Sequence, residues 1–151
     1  MEIPNDLHYT IEHEWVRLKN NRATIGITDF AQGQLGDVVF VELPAEGTEL
    51  AKENTFGVVE SVKTVSDIYA PMTGKVVAVN KDLESQPELV NSDPYGQGWM
   101  IEIEFSNSSP KQSLLSADQT ENSVKTRNDK LLTVYIILNY AFHPSYRTRY
   151  S

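Results

Sequence analysis

The chain contains no cysteine. That excludes disulfides, zinc ribbons, thiol catalysis and any redox dithiol made from its own side chains. Histidine is scarce: His8, His13 and His143 are the full set. None of them pairs at helical ligand spacing, which argues against a metal centre built on imidazole. Positive charge is short as well, with 13 Lys+Arg against 21 Asp+Glu and a net charge of −8. Bulk binding to nucleic acid or to an anionic membrane needs the opposite balance. No apolar run reaches membrane-spanning length. Met1-Glu2-Ile3-Pro4-Asn5-Asp6 lacks the pattern of a signal or transit peptide. A cytoplasmic protein is the expectation.

The charge is unevenly spread. Residues 1–118 hold 8 Lys+Arg and 19 Asp+Glu, net −11, whereas residues 119–151 hold 5 and 2, net +3. The break predicts a domain over 1–118 and an atypical tail over 119–151. The tail includes an apolar, β-prone run, Leu131–Phe142. An extra strand, a docked helix and a sticky segment all fit that run.

Within the first 118 residues, short strands dominate. Trp15–Lys19 and Arg22–Ile27 alternate apolar and polar around Asn20-Asn21, a hairpin signal. Thr28 is placed to cap a short helix closed by Gly33 or Gly36. Val38–Val41, Thr55–Val59, Lys75–Asn80 and Trp99–Glu104 read as further strands, and Pro87 and Asn91–Pro94 as loops. Ser109-Pro110 predicts a short helix over Pro110–Ala117. Many short strands separated by turn residues favour a small β-sandwich or barrel.

Little catalytic chemistry stands out. Carboxylate pairs are numerous in so acidic a chain, and no nucleophile-elbow pattern brings serine and histidine together. The glycines around residues 33–36 and 96–98 lack the spacing of a phosphate loop. His13, between two glutamates, reads as a surface residue; Trp15 and Trp99 read as core. Lys63 differs. Val58-Val59-Glu60-Ser61 runs into Val62-Lys63-Thr64, and Val65–Tyr69 runs out again with no Gly or Pro between, which predicts a tight type I-like turn. On geometry alone Lys63 is a solvated turn lysine. Free, it keeps its proton and is a poor nucleophile. What the position offers is access for a modifying enzyme.

The order of several blocks resembles the H-protein family of the glycine cleavage system. Those blocks are Leu7–Thr10 with Glu12–Val16, Ile25–Ala31, Leu35-Gly36-Asp37, Leu43-Pro44 with Gly47, and Gly57–Lys63 with its Glu-Ser-Val-Lys core. Ser66–Pro71 with Gly74, Leu89-Val90-Asn91, Asp93–Gly96 and Gly98-Trp99 complete the resemblance over roughly residues 3–118. It implies a mainly β, barrel-sandwich hybrid of the lipoyl/biotinyl-carrier type with short flanking helices. It also implies lipoic acid in amide linkage to Lys63; Val62 and Thr64, in place of flanking methionines, disfavour biotin.

The resemblance further implies a carrier that catalyses nothing itself. A pyridoxal-phosphate glycine decarboxylase would load the aminomethyl group of glycine on it and an aminomethyltransferase would unload it. Dihydrolipoyl dehydrogenase would reoxidise the dithiol, and lipoylating enzymes would attach it. Glu60, Ser61, Val62 and Asp67 lie close enough to Lys63 to serve in recognition. Residues 119–151 have no counterpart in the resemblance, and a non-functional or disordered extension is the expectation. Two other readings remain: a lipoyl donor relaying lipoate to 2-oxoacid dehydrogenase complexes, and an unmodified interaction domain.

Overall fold

The computed structural model describes residues 1–106 and 113–124. The apolar run 131–142 and residues 110–112 of the expected helix lie outside them. In chain order the strands are β1 (His8–Tyr9), β2 (Glu14–Lys19), β3 (Arg22–Ile27), β4 (Val38–Glu42), β5 (Glu49–Leu50), β6 (Thr55–Ser61), β7 (Val65–Tyr69), β8 (Gly74–Val79) and β9 (Ile101–Glu104). Helix α1 (Asp29–Leu35) follows β3, and α2 (Asp82–Ser85) and α3 (Leu89–Ser92) precede β9. A further helix, α4, covers 117–124. None of these helices is long and apolar enough to cross a membrane.

Two antiparallel sheets face each other, the mainly β two-sheet architecture that the resemblance implies. One has the order β1-β2-β3-β9-β8-β5 and the other β4-β6-β7. Alternation aims one face of each strand inward. Val16, Ile25, Ile103 and Val76 meet Val41, Val59 and Ile68 in a single core. A second cluster covers the back of the larger sheet at its β1–β2 end, where Leu7, Tyr9, Trp15 and Ala117 are buried with Tyr95, Trp99 and Leu115 packed against them. Strand β2 is therefore apolar on both faces at Trp15-Val16.

Trp15 fixes the geometry of that back face. Its indole lies over Gly26, its cross-strand partner, so closely that a Cβ there would sit 2.7 Å from the ring. Indole Nε1 donates to the Pro94 carbonyl at 2.8 Å, and the Arg17 guanidinium stacks 5.0 Å from the ring centre.

Three expectations need correction. His13 is buried at 2 % exposure. A turn closed by Thr10 and Glu14 folds it inward with φ 68°, its ring against Phe30 and Nδ1 3.2 Å from the Thr28 hydroxyl. The stretch before residue 93 carries α2 and α3 rather than only loops, because Leu83 and Val90 are buried in the core. Residues 113–116 are not α-helical: Leu115 exchanges backbone hydrogen bonds with Tyr9 at 2.9 and 2.7 Å. Helix α4 starts one residue after Ser116, where Ser116 and Gln119 form a reciprocal capping box. The change of charge at 118 falls inside this helix, which also buries Thr120 and Val124.

Glu14 is a buried carboxyl, 2 % exposed, accepting from the Thr10 hydroxyl at 2.6 Å. Burial raises its pKa from 4.5 to about 7, against the lowering effect of that hydrogen bond. Between those values the folded state keeps the proton while the unfolded chain has released it. Stability therefore falls as pH rises through this window.

Two outcomes follow. Gly26→Ala should lower unfolding free energy by about 1–3 kcal/mol, since the buried indole has nowhere to move; an unchanged urea midpoint would contradict this. Glu14→Gln keeps the acceptor and removes the titration. Wild type should lose roughly 2–3 kcal/mol relative to this variant between pH 4.5 and pH 7, at about 1.4 kcal/mol per pKa unit. Parallel pH–stability curves would refute that assignment.

Candidate functional site

The β6–β7 hairpin ends in Val62-Lys63-Thr64, and no residue in this turn has positive φ. Its shape comes from Ser61. The Ser61 N–H donates to the Thr64 carbonyl at 2.8 Å. The Ser61 hydroxyl oxygen accepts from the amides of Lys63 at 3.3 Å and Thr64 at 3.1 Å. A serine hydroxyl standing in for a backbone carbonyl is a local way to tighten a turn. At 5 % exposure Ser61 faces the turn, not the solvent.

The remaining amide, that of Val62, donates to the Asp37 carbonyl at 3.0 Å. This bond ties the hairpin tip to the segment between α1 and β4. That segment has its own frame. Thr28 caps α1 by accepting from Ala31 N–H, and Gly36 ends it with φ 78°, a conformation that favours glycine. Asn91, on α3, then grips the exit from α1. Its Nδ2 donates to Gln32 Oε1 at 2.9 Å and to the Gly36 carbonyl at 2.8 Å, and its Oδ1 accepts from Val38 N–H at 2.9 Å. Asn91, Gly36, Asp37 and Val62 thus form a continuous support beneath the lysine.

Lys63 is exposed. Its stem passes Gly36, where a Cβ would lie 3.7 Å from Lys63 Cε. Val62 beside it is 76 % exposed. Glu60 is exposed on β6, paired with Phe40 on one side and Val65 on the other, and Asp67 is exposed on β7 opposite Val58. The structure therefore brings Glu60, Val62 and Asp67 to the surface around the turn, and sets Ser61 within it. Sequence reasoning missed Gly36, Asp37 and Asn91 as supports of the lysine. Asn91 lies in a stretch whose sequence signals a loop, and its partners lie 53 to 59 residues away.

A cleft of about 420 Å³ opens where β7 ends, lined by Thr10, Glu14, Lys52, Tyr69 and Leu114 among others. The raised carboxyl of Glu14 is in its wall. A second cleft lies between the end of β4 and α2, walled by Val41, Pro44, Asn80 and Leu83 among others.

Comparison with known proteins bears on this geometry. The family model described as glycine cleavage H-protein matches residues 7–127. The glycine cleavage system H protein of Salinibacter ruber is 56 % identical over 118 residues, 78 % of this chain and 95 % of that protein. That of Brevibacillus brevis is 58 % identical over 125 residues, covering 83 % and 99 %. The crystal structure of a glycine cleavage system H protein from Mycobacterium marinum superposes with a TM-score of 0.76 at 36 % identity, over 82 % of this chain and 99 % of that one. A lysine-tipped hairpin on two facing sheets and relatives matched over nearly their whole length agree, and the chain belongs to the glycine cleavage H-protein family.

Proposed function

We propose that the chain is a non-catalytic lipoyl carrier of the glycine cleavage system, working in the cytoplasm, with lipoic acid in amide linkage to Lys63. In this reading it takes the aminomethyl group from a pyridoxal-phosphate glycine decarboxylase to an aminomethyltransferase. Dihydrolipoyl dehydrogenase then restores the disulfide. One observation carries the proposal: an exposed lysine stands at a hairpin tip in which every amide from Ser61 to Thr64 has an acceptor.

The residues present fit such a group. Its attachment point needs open space around Nζ, and the exposed Lys63 with Val62 at 76 % exposure leaves that space. It also needs a base that does not wander, which Ser61 and Asp37 supply. Bound there, lipoate would provide the redox-active sulfurs that a chain without cysteine cannot. The chain's own part is to offer one amine to a modifying enzyme and then hold the tether's root while active sites receive its far end. Tethering raises the local concentration of the attached group once the protein is docked. Glu60, Val62 and Asp67 flank the lysine where a lipoylating enzyme would read it, and Ser61 contributes by setting the turn.

Protein purified from its own lipoate-replete host should carry one added lipoyl mass, mapped by peptide analysis to Lys63. The Lys63→Arg variant should lack that mass and the glycine-cleavage activity while unfolding at the same urea concentration. An unmodified wild-type Lys63 would overturn the carrier reading. Asn91→Ala should slow lipoylation at Lys63 at least severalfold and speed hydrogen exchange at the Val62 amide more than at the core amide of Val59. Equal acceleration at both amides would assign Asn91 to general stability alone.

A further inference from the structure

The outer face of the three-stranded sheet has an ordered composition that the lysine turn does not explain. Two rows of cross-strand partners lie nearest the turn. Phe40, Glu60 and Val65 form the row next to the turn, and Glu42, Val58 and Asp67 form the next. Apolar and acidic side chains alternate in both directions, so each carboxylate has apolar neighbours across the ladder. Phe40 is 51 % exposed and Val65 62 % exposed, and all three carboxylates are exposed. No lysine or arginine stands in these rows. The ion pairs among the described residues join Arg22 to Glu102 and Glu104 on the other sheet, and leave Glu42, Glu60 and Asp67 unpaired.

The arrangement is costly for the free protein. Like charges at diagonal sheet spacing repel, and an aromatic ring half in water gives up burial. The same features suit an interface in which an apolar centre is covered and unpaired charges meet a complementary rim. A second copy of this chain does not supply the complement, because a symmetric pairing would set carboxylates against carboxylates. The occupant must bring positive charge, and it must come to the edge where Lys63 stands.

We infer that this face is a docking surface for an enzyme that works on the group carried by Lys63, and that the enzyme presents apolar side chains bordered by lysines and arginines. The inference rests on the carrier reading for the identity of that partner. Phe40, Val58 and Val65 supply contact area. Glu42, Glu60 and Asp67 steer approach and fix orientation, so that the lysine at the end of the ladder points into the partner.

The test measures binding of the full-length protein, purified from its host, to the same host's pyridoxal-phosphate glycine decarboxylase at several salt concentrations. Two triple variants remove equal charge: Glu42→Gln with Glu60→Gln and Asp67→Asn on this face, and Glu46→Gln with Glu49→Gln and Glu84→Gln away from it. The first should weaken binding about tenfold at low salt, flatten the salt dependence and raise the thermal midpoint of the free protein. The second should bind as wild type does. Phe40→Ser with Val65→Ser should weaken binding and leave the salt dependence intact. Wild-type protein that does not bind, equal loss in the two triple variants, or no loss in either would overturn the inference. A salt-sensitive dimer of the free protein, abolished by the first triple variant, would overturn it in favour of a second copy. The mass of the Lys63 peptide separates the two claims: a modified Lys63 with no effect on docking defeats the surface alone, and an unmodified Lys63 defeats the carrier reading.

Discussion

Four consecutive amides decide how Lys63 is presented. The N–H groups of Ser61, Val62, Lys63 and Thr64 are all satisfied, by the Thr64 carbonyl, the Asp37 carbonyl and the Ser61 hydroxyl. None of these acceptors involves the lysine side chain. A turn whose backbone depended on its central side chain would change shape when that side chain was modified. Here the amine is free to be altered without disturbing what holds its root. The Val62–Asp37 bond extends the support from the hairpin to α1 and, through Asn91, to α3, so the local turn inherits the rigidity of the packed domain.

Much of this architecture was legible in the sequence, for a physical reason. Where one strand face is buried and the other is not, period-two alternation records the fact, as in β9, where Ile101 and Ile103 are buried and Glu104 is exposed. The Thr28 cap and a stop at Gly33 or Gly36 were legible because both signals are local; the structure selects Gly36, and Gly33 lies inside α1. The lysine turn was also local: Ser61 bonds only to its neighbours two and three positions on. What failed was non-local. His13 looks exposed between two glutamates, but it is buried against Phe30 and the Thr28 hydroxyl, the latter 15 residues away. Ser109-Pro110 is a sound helix start that predicts helix where Tyr9 draws Leu115 into a bridge, and the capping box at Ser116 begins α4 later. Asn91 has no local signature at all, because its three hydrogen bonds exist only once α1, β4 and α3 are assembled.

The two sheets divide the work of stability. The larger one is covered on its inner face by the common core and, around β1 and β2, on its outer face by the Trp15 cluster beneath α4. The smaller one buries only its inner face, through Val41, Val59 and Ile68, and leaves its outer face to water. Stability can therefore be concentrated in residues remote from Lys63, while the sheet carrying the lysine keeps exposed carboxylates that form no ion pair among the described residues. Three unpaired carboxylates are tolerable on the smaller sheet because Val59 and Ile68 hold it from below.

The turn itself contains no glycine, and its residues keep negative φ. Glycine would make the turn easier to form and would also widen the range of directions in which residue 63 could point. In the proposed carrier role, an arm that enters several active sites gains nothing from a loose root. Its reach comes from single bonds in the side chain and in whatever the amine carries, and each added backbone conformer dilutes the fraction of encounters in which the arm is correctly aimed. The chain therefore restricts the backbone with Ser61, Asp37 and Asn91 and leaves flexibility to the side chain, where it costs the fold nothing.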